Sequence, residues 1–178
     1  ATLHNEDYCR ALDIRIGDDI VIRKAGEVIP AVVKALVERR KGTETPFEMA
    51  THCPACGSPL LRKEGEAEYF CTNPDCDAQK INGLIHFASR DAYDIEGLGE
   101  KVVTDFYNDG FLHSISDVFR LKDHTQELVL KDGFGEKSIF NLIDAIEASK
   151  KNNLDRLLFG LGIKLVGQKT AKQIADRY

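Results

Sequence analysis

The chain has no long hydrophobic run and no surplus of positive charge. Its 178 residues contain no apolar stretch that approaches the roughly 20 residues needed to cross a bilayer, and no secretory signal precedes the first motif. The 24 Lys and Arg are outnumbered by 29 Asp and Glu, which gives a formal net charge of −5. These absences exclude a membrane-spanning protein and a nucleic-acid binder driven by overall charge. Any contact with a nucleic acid must come from local patches and backbone amides.

The ends of the chain lack the marks of a complete protein. It begins with Ala1 instead of an initiator methionine, and it stops at Tyr178 inside a segment whose pattern predicts a helix. A chain of this length with 43% hydrophobic residues can form one large domain or two or three small ones. We expect several small domains that belong to a longer protein.

Four of the five cysteines lie in two close pairs. Two residues separate the first pair and four the second, and 14 residues lie between the pairs; the four are Cys53, Cys56, Cys71 and Cys76. Paired thiolates at tetrahedral reach select Zn²⁺, whereas disulfides or four unrelated buried cysteines are the alternatives. Because four protein ligands leave no position open for water, the predicted zinc is structural and not catalytic. His52 could replace one cysteine as a ligand.

The 14 residues between the pairs predict a small β-hairpin. Leu60–Lys63 and Glu66–Phe70 would form its strands around a turn at Glu64–Gly65. A segment this small cannot bury a core, so metal binding would supply much of its folding free energy. Cys9, the fifth thiol, is expected to be buried and unreactive. Reduced thiols at a metal site indicate the cytosol.

The segment before the cysteines is rich in strand patterns. Leu12, Ile14 and Ile16 alternate with charged residues, and a Gly17–Asp18 turn leads to a second run over residues 19–23. A turn at residues 24–27 then leads into a third run, 28–37, which makes a hairpin in a small barrel or sandwich. A five-stranded oligonucleotide-binding barrel whose first strand lies upstream fits strands of this length.

Two basic residues, Arg23 and Lys24, stand at the tip of the predicted hairpin. They could contact phosphates, and an ordinary solvated turn explains them equally well. The basic run Glu38–Lys41 is expected to be a solvated strand end that leads into a linker.

The residues after the cysteines repeat one unit three times. A glycine, a Glu or Gln and a lysine recur at intervals of 36 and 32 residues, as Gly99–Lys101, Gly135–Lys137 and Gly167–Lys169. Apolar residues follow each glycine at offsets of four, seven and eight, which lie on one face of a helix. A further turn former precedes each glycine. The repeated unit is therefore a helix, a tight hairpin and a second helix.

The backbone of such a hairpin predicts what it binds. A glycine that opens a helix leaves several N–H groups unpaired at the positive end of the helix dipole, which favours a phosphate, and the lysine adds a point charge. Backbone amides do not read bases, so this contact would be independent of sequence. The alternative is a set of hairpins that only pack together, but the triple repeat favours phosphate contact in at least two copies. The candidate residues are Gly97, Gly99, Lys101, Gly133, Gly135, Lys137, Gly162, Gly167 and Lys169.

Taken together, the β-rich segment with Lys24–Pro30, the four-cysteine site and the glycine hairpins resemble the NAD-dependent DNA ligases of bacteria. The opening residues Ala1–Asn5, the cysteine spacing and the run from Gly160 to Gly167 are similar to the pattern of that family over essentially the whole chain. The resemblance implies an α+β, multi-domain fold. Its domains would be an OB-like β-barrel truncated at its N-terminus over residues 1–48, a four-cysteine zinc finger over 49–80, and an all-α domain of three helix-hairpin-helix units, the last truncated, over 81–178.

By this resemblance the chain is the DNA-binding, downstream half of an enzyme that seals nicks in duplex DNA during replication and repair. In that family AMP passes from NAD to a lysine and then to the 5′ phosphate at the nick, and Mg²⁺ is a further cofactor. The lysine belongs to a Lys-x-Asp-Gly motif in an upstream nucleotidyltransferase domain, and the nearest string in this chain, Leu130–Gly133, has no lysine at the required position. The resemblance therefore implies a segment that is inactive alone and binds zinc but neither NAD nor Mg²⁺. Its partners would be nicked double-stranded DNA and the upstream domain, and it would be a monomer in the bacterial cytoplasm.

The resemblance also implies DNA contacts in the barrel, through the basic residues Arg23 and Lys24 and through Val28 and Ile29, which would lie toward the minor groove. A different class of function stays open, in which the zinc ribbon and helical repeats form a scaffold for protein partners in a DNA repair assembly. A repair nuclease subunit is a third alternative, but no carboxylate cluster for Mg²⁺ stands out in the sequence.

Overall fold

Residues 1–25 and 29–177 are described by the structure, a computed structural model, and the chain divides into two compact units, Ala1–Pro74 and the residues from Asp75 onward. Part of the predicted hairpin turn, Gly26 and Glu27, lies outside the described residues, and so does Val28. None of the described helices combines the length and the apolar character that crossing a bilayer requires.

The strands that precede the cysteines are short and pair in twos. Helix α1 (Glu6–Ala11) is followed by β1 (Arg15–Ile16), β2 (Ile20–Ala25), β3 (Ile29–Ala35), a 3-10 turn (Val37–Arg39) and β4 (Thr45–Pro46). β2 and β3 form the predicted antiparallel hairpin, in which Lys24 lies opposite Pro30, and β1 pairs with β4. The described part of this segment therefore contains two two-stranded sheets.

The strand predicted from Leu12 begins only at Arg15, because a helix comes first. The side chain of Asn5 caps α1 by accepting the N–H of its third residue at 3.1 Å, and two acidic residues occupy the first turn. Leu12 ends the helix as its C-cap, and Asp13 reverses the chain with a φ of +45°. The prediction of a strand over residues 12–14 is therefore wrong, since the alternation there belongs to a helix end and a turn.

A small core holds these elements together. Cys9, Ile14 and Val32 are buried in it, with Leu3, Leu12 and Phe47 packed around them. The prediction that Cys9 is buried is confirmed, and its burial raises the pKa of the thiol.

Arg40 corrects the prediction of a solvated basic run. Its Nε donates to Oδ1 of Asp18 at 2.7 Å, and its Nη1 donates to Oδ2 of Asp13 at 2.6 Å. The side chain of Asp18 is fully buried and that of Arg40 is only 12% exposed. The hydrogen bonds from Arg40 hold the pKa of Asp18 below its ordinary value. Arg40 thus lies inside the fold, because the carboxylates of Asp13 and Asp18, on either side of β1, bind it.

The predicted hairpin between the cysteine pairs is confirmed. It consists of β5 (Leu60–Arg62) and β6 (Tyr69–Cys71), which are antiparallel. Two polar contacts join it to α1: the hydroxyl of Tyr69 donates to the buried carboxylate of Glu6, and the guanidinium of Arg62 pairs with Asp7. The hairpin is therefore attached to α1 within the first unit.

The second unit is helical. Its helices are α2 (Asp77–Ala88), α3 (Glu100–Asn108), α4 (Ile115–Val118), α5 (Thr125–Val129), α6 (Glu136–Ser149), α7 (Leu154–Gly160) and α8 (Gln168–Ala175), with a 3-10 turn at Leu121–His124 before α5. The three predicted helix-hairpin-helix repeats correspond to the pairs α2 and α3, α5 and α6, and α7 and α8.

The apolar offsets after each hairpin glycine form the core. In α3 the residues at offsets four, seven and eight, Val103, Phe106 and Tyr107, are buried, and in α6 Ile139 and Leu142 are buried likewise. They pack with Leu84 and Phe87 of α2 in one cluster, which the first two helix-hairpin-helix repeats share. Each fully buried Phe, Leu or Ile contributes about 1.5–3 kcal/mol to stability. In α8 the offset-four residue Ala171 is buried, while the other two are half-buried. The predicted helical face is confirmed.

Candidate metal centre and nucleic-acid interface

The first cysteine pair lies in a tight turn. The N–H of Gly57 donates to the carbonyl of Cys53 at 2.8 Å, and the N–H of Cys53 donates to the carbonyl of Ser58 at 2.8 Å. Gly57 has a φ of +71°, the left-handed conformation that glycine adopts without a steric cost. The turn brings the sulfur atoms of Cys53 and Cys56 to the same side.

The second pair joins a strand to a helix. Cys71 is the last residue of β6, where it lies opposite Leu60. Cys76 is fully buried and is the N-cap of α2. The carbonyl of Cys76 accepts the N–H groups of Gln79 at 3.0 Å and Lys80 at 3.1 Å. The ends of two regular elements therefore hold these ligands in place.

The four sulfur atoms converge on one point. The Sγ atoms of Cys53, Cys56, Cys71 and Cys76 all lie within 4.8 Å of one another, and those of Cys56 and Cys71 are 3.5 Å apart. Thiolates at the usual Zn–S distance of about 2.3 Å in a tetrahedron are about 3.8 Å apart, so the donor set fits Zn²⁺. All four are free thiols, which excludes the disulfide alternative. His52 is not a member of the group; its Nδ1 lies 3.0 Å from Oγ1 of Thr51.

Local hydrogen bonds favour the metal-binding form of one ligand. The side chain and then the backbone N–H of Ser58 lower the pKa of the Cys56 thiol to about 6. Because the thiolate is the species that binds a metal, this environment favours coordination at neutral pH.

Three equivalent turns precede α3, α6 and α8. Each is closed by a hydrogen bond from the N–H of its fourth residue to the carbonyl of its first: Leu98 to Ile95 at 3.2 Å, Phe134 to Lys131 at 3.0 Å, and Val166 to Ile163 at 2.9 Å. The third residue of each turn has a positive φ, of +88° at Gly97, +84° at Gly133 and +69° at Leu165. The three predicted hairpins therefore share one backbone conformation.

Gly162, the turn former predicted in the third hairpin, has a positive φ but does not lie at the position equivalent to Gly97 and Gly133. Gly162 follows the C-cap of α7, five residues before Gly167, whereas Gly97 and Gly133 stand two residues before the glycines that open α3 and α6. The equivalent position in the third hairpin holds Leu165, a residue type that rarely adopts positive φ and so gave no signal in the sequence.

The second glycine of each hairpin begins a helix, as predicted. Gly99, Gly135 and Gly167 are the N-caps of α3, α6 and α8, and their carbonyls accept the first hydrogen bond of each helix, at 2.9, 3.1 and 2.9 Å. A glycine cap has no side chain to accept the N–H groups of the first turn, which leaves those donors facing outward. In α6 the Oγ of Ser138 accepts the N–H of Gly135 at 3.0 Å, a contact that the sequence analysis missed because the usual capping pattern has Glu or Gln at the third helical position.

The lysine of each hairpin is exposed to solvent. Lys101, Lys137 and Lys169 form no ion pair or side-chain hydrogen bond with the residues that the structure describes. Each stands in the first turn of its helix, beside the outward-facing amides. Among the residues that the structure describes, each of the three hairpins therefore combines free N–H groups in the first turn of its helix with an unpaired positive charge.

The described candidate residues of the barrel hairpin are also exposed. Arg23 and Lys24 lie at the end of β2 and form no ion pair within the described ranges 1–25 and 29–177. Ile29, at the start of β3, is 55% exposed. The structure thus places three of the four predicted barrel residues at one end of the hairpin.

Comparison with known proteins agrees with this architecture. The NAD-dependent DNA ligase OB-fold domain matches residues 1–44, and the NAD-dependent DNA ligase C4 zinc finger domain matches residues 52–78. Proteins named DNA ligase are similar over the whole chain, with 54% identity over 178 residues in Halalkalibacterium halodurans, 55% over 179 residues in Anoxybacillus flavithermus and 51% over 178 residues in Acholeplasma laidlawii. The chain covers 26%, 26% and 27% of these proteins, or about a quarter of their length.

An OB-fold segment followed by a four-cysteine zinc finger and helical hairpins defines a multi-domain α+β protein with four cysteines placed for metal binding. The chain carries the OB-fold and C4 zinc-finger domains of NAD-dependent DNA ligases, and along its whole length it is similar to a portion of proteins named DNA ligase. The resemblance seen in the sequence and the OB-fold segment are thereby confirmed, and the four cysteines are placed for metal binding.

Proposed function

We propose that this chain is the DNA-binding portion of an NAD-dependent DNA ligase that seals nicks in duplex DNA during replication and repair. It holds the phosphate backbone of nicked duplex DNA without reading its bases. The chain has no Lys-x-Asp-Gly motif to carry AMP, so it is inactive alone, and it binds Zn²⁺ but neither NAD nor Mg²⁺. Its partner in the same protein is the nucleotidyltransferase domain, and it acts as a monomer in the bacterial cytoplasm.

The observation that carries this proposal is the threefold repetition of one hairpin end. Gly99, Gly135 and Gly167 each open a helix with outward-facing amides and, beside them, a lysine that has no partner among the described residues. A helix N-terminus favours a negative charge, by about 0.3–1 kcal/mol at an exposed site, and backbone N–H groups bind phosphate oxygens. Hairpins that served only for packing would not need a free lysine at the same position three times.

The charge of the chain supports a local and not a global attraction. With a net charge of −5, the molecule as a whole repels DNA, so the contacts must come from the helix ends and from exposed basic residues. Arg23 and Lys24 supply further phosphate contacts from the barrel hairpin, and Ile29 supplies an apolar contact toward the minor groove. Amides and ammonium groups that touch only phosphates carry no sequence information, which suits an enzyme that acts at any nick.

The proposal is tested by placing a carboxylate at two of the helix ends. An added Cβ at Gly99 or Gly135 meets no atom within 4 Å, and neither residue has a positive φ, so Gly99→Asp and Gly135→Asp fit the fold. Aspartate is a better N-cap than glycine, and helix stability should hold or rise. Its carboxylate, however, occupies the amides and repels phosphate. We expect each variant to bind every duplex roughly ten- to a hundredfold more weakly, the equivalent of losing one charged hydrogen bond of about 1.5–3 kcal/mol.

Two matched variants serve as controls. Gly83→Asp makes the same charge change at an exposed glycine within α2, where the added side chain also has open space, and it should leave binding nearly unchanged. Gly99→Asn supplies a cap of the same size without the charge and should weaken binding less than Gly99→Asp. Affinity that is unaltered by both aspartate variants, or that falls for some base sequences only, would contradict the proposal.

A further inference from the structure

A cleft in the helical unit has a different charge from the rest of the chain. It encloses about 460 Å³, which is within the range of ligand pockets, between the segment that follows α2, the first turns of α7 and the start of α8. Its lining includes four cations and two carboxylates, which are Arg90, Asp91, Asp155, Arg156, Lys169 and Lys172. The cleft is thus net positive within a chain of net charge −5.

Hydrogen bonds hold the walls of this cleft together. The Nε of Arg156 donates to the carbonyl of Ala92 at 2.6 Å, and its Nη2 donates to the carbonyl of Arg90 at 2.5 Å. The side-chain amide of Asn152 donates to the carbonyl of Tyr93 at 2.7 Å. These donors fix the segment that leads into the first hairpin against the third hairpin, so the position of Arg90 relative to α8 is set by the fold.

The remaining cations of the cleft have no partner among the described residues. Arg90, Lys169 and Lys172 are exposed and form neither an ion pair nor a side-chain hydrogen bond there, whereas Arg156 is committed to carbonyl groups. Lys169 and Lys172 stand three residues apart in α8, a spacing that places both side chains on one face of the helix. Three unpaired cations that line one cleft form a site for an anion with several oxygens.

We propose that this cleft binds a backbone phosphate of duplex DNA, through Arg90 and Lys172 in addition to Lys169. The inference rests on the proposed function and deepens it, because it assigns contacts to two residues outside the repeated glycine motif. It also makes the third hairpin a composite site, in which the segment before the first hairpin contributes Arg90. Arginine suits this role since its planar guanidinium can bind two phosphate oxygens at once.

The test compares the salt dependence of DNA binding by the variants Arg90→Ala and Lys172→Ala with that of the unaltered chain. Both side chains are exposed, so neither substitution should alter the melting temperature. We expect each variant to weaken binding to nicked and intact duplexes of unrelated sequence by the same factor. The slope of log K against log salt should become less negative by about 0.9 for each phosphate contact that is lost. Lys151→Ala is the matched control, because Lys151 is exposed, unpaired with any described residue and outside the cleft.

Each other outcome overturns a definite part of the account. If Lys151→Ala makes the slope less negative by as much as the cleft variants do, the effect is general electrostatics and the site is refuted. Inorganic phosphate could compete with DNA equally well for the unaltered chain and for the cleft variants, with the same slope of log K against log salt for all of them. In that case the cleft binds no DNA phosphate. If Arg90→Ala and Lys172→Ala leave DNA binding unchanged, this site alone is refuted. If the unaltered chain, folded and loaded with zinc, binds no duplex, the proposed function is refuted as well.

Discussion

Leu165 has a φ of +69° at the turn position where the first two hairpins place Gly97 and Gly133. Its side chain is 90% exposed and so gains little from packing. A left-handed conformation costs a residue with a Cβ roughly 1–2 kcal/mol. The third hairpin therefore keeps the shared backbone conformation at a local cost that the other two avoid.

Exchanging the two residue types should measure this cost. We expect Leu165→Gly to leave stability unchanged or to raise it by up to about 1 kcal/mol, since the relief of strain exceeds the added backbone entropy of about 0.5–1 kcal/mol. The reverse change, Gly133→Leu, has open space for its side chain and should destabilise the fold by about 1–2 kcal/mol through its φ alone. Chemical denaturation measures both values. If Leu165→Gly clearly lowers the free energy of unfolding, the exposed leucine stabilises the fold and the assigned strain is refuted.

Arg40 makes a second residue-scale prediction, on pH. It holds the pKa of Asp18 below its ordinary value of 3.8, so the ionised carboxylate stabilises the fold at pH values above that value. This stabilisation is lost as the pH falls through the lowered pKa. We expect Arg40→Gln to lower the melting temperature at pH 7, because it leaves Asp18 buried without its cation, and we expect the difference from the unaltered chain to shrink below pH 3.8.

The neighbouring Arg39 provides the control for this measurement. Its guanidinium lies 3.6 Å from Asp19, and both side chains are exposed, so Arg39→Gln should have little effect on stability. A melting-temperature difference for Arg40→Gln that is the same at pH 3 and pH 7 would refute the assigned role of Asp18.

At the scale of elements, the metal site connects several short pieces that lack a core of their own. β5 and β6 have three residues each, and the first cysteine pair lies in a turn. The hairpin reaches α1 through Tyr69 and Arg62, which contact Glu6 and Asp7. Because the hairpin's own strands are too short to be stable in water, we expect its contacts with α1 to depend on a metal bound by the four cysteines at its ends.

Removal of zinc should therefore unfold the finger and loosen α1. We expect Cys71→Ser, or treatment with a strong chelator, to abolish the binding of one zinc per chain and to lower the melting temperature. Zinc content is measured by metal analysis, and melting by circular dichroism. Cys9→Ala is the control, since Cys9 lies outside the cluster and its loss should leave the zinc stoichiometry at one. A chain stripped of zinc that melts at an unchanged temperature would refute the structural role.

Elements with a strong local signal could be predicted from the sequence, and the others could not. The finger followed from cysteine spacing, and the helical units followed from the repeated glycine and the apolar offsets. α1 was missed because it has only six residues, although Asn5 and the acidic residues after it are a capping signal. Arg40 was assigned to solvent because its partners, Asp13 and Asp18, lie more than 20 positions earlier in the chain.

For the molecule as a whole, the same distinction separates the two kinds of candidate site. The cysteines and hairpin glycines lie close together in sequence, so their spacing indicates their role. The cleft with Arg90 and Lys172 depends on α7 packing against the segment after α2, and no local pattern predicts that arrangement. The proposed contacts of an acidic chain with DNA thus arise partly from motifs and partly from tertiary structure.

The most direct test of this account is the binding of the zinc-loaded chain to nicked duplexes of unrelated sequence across a series of salt concentrations. We predict equal affinity for all sequences and a linear fall of log K with log salt, by roughly 0.9 for each phosphate neutralised. Affinity that depends on base sequence, or the absence of binding at low salt by a chain shown to be folded and to hold zinc, would contradict the proposal that this chain holds the DNA backbone.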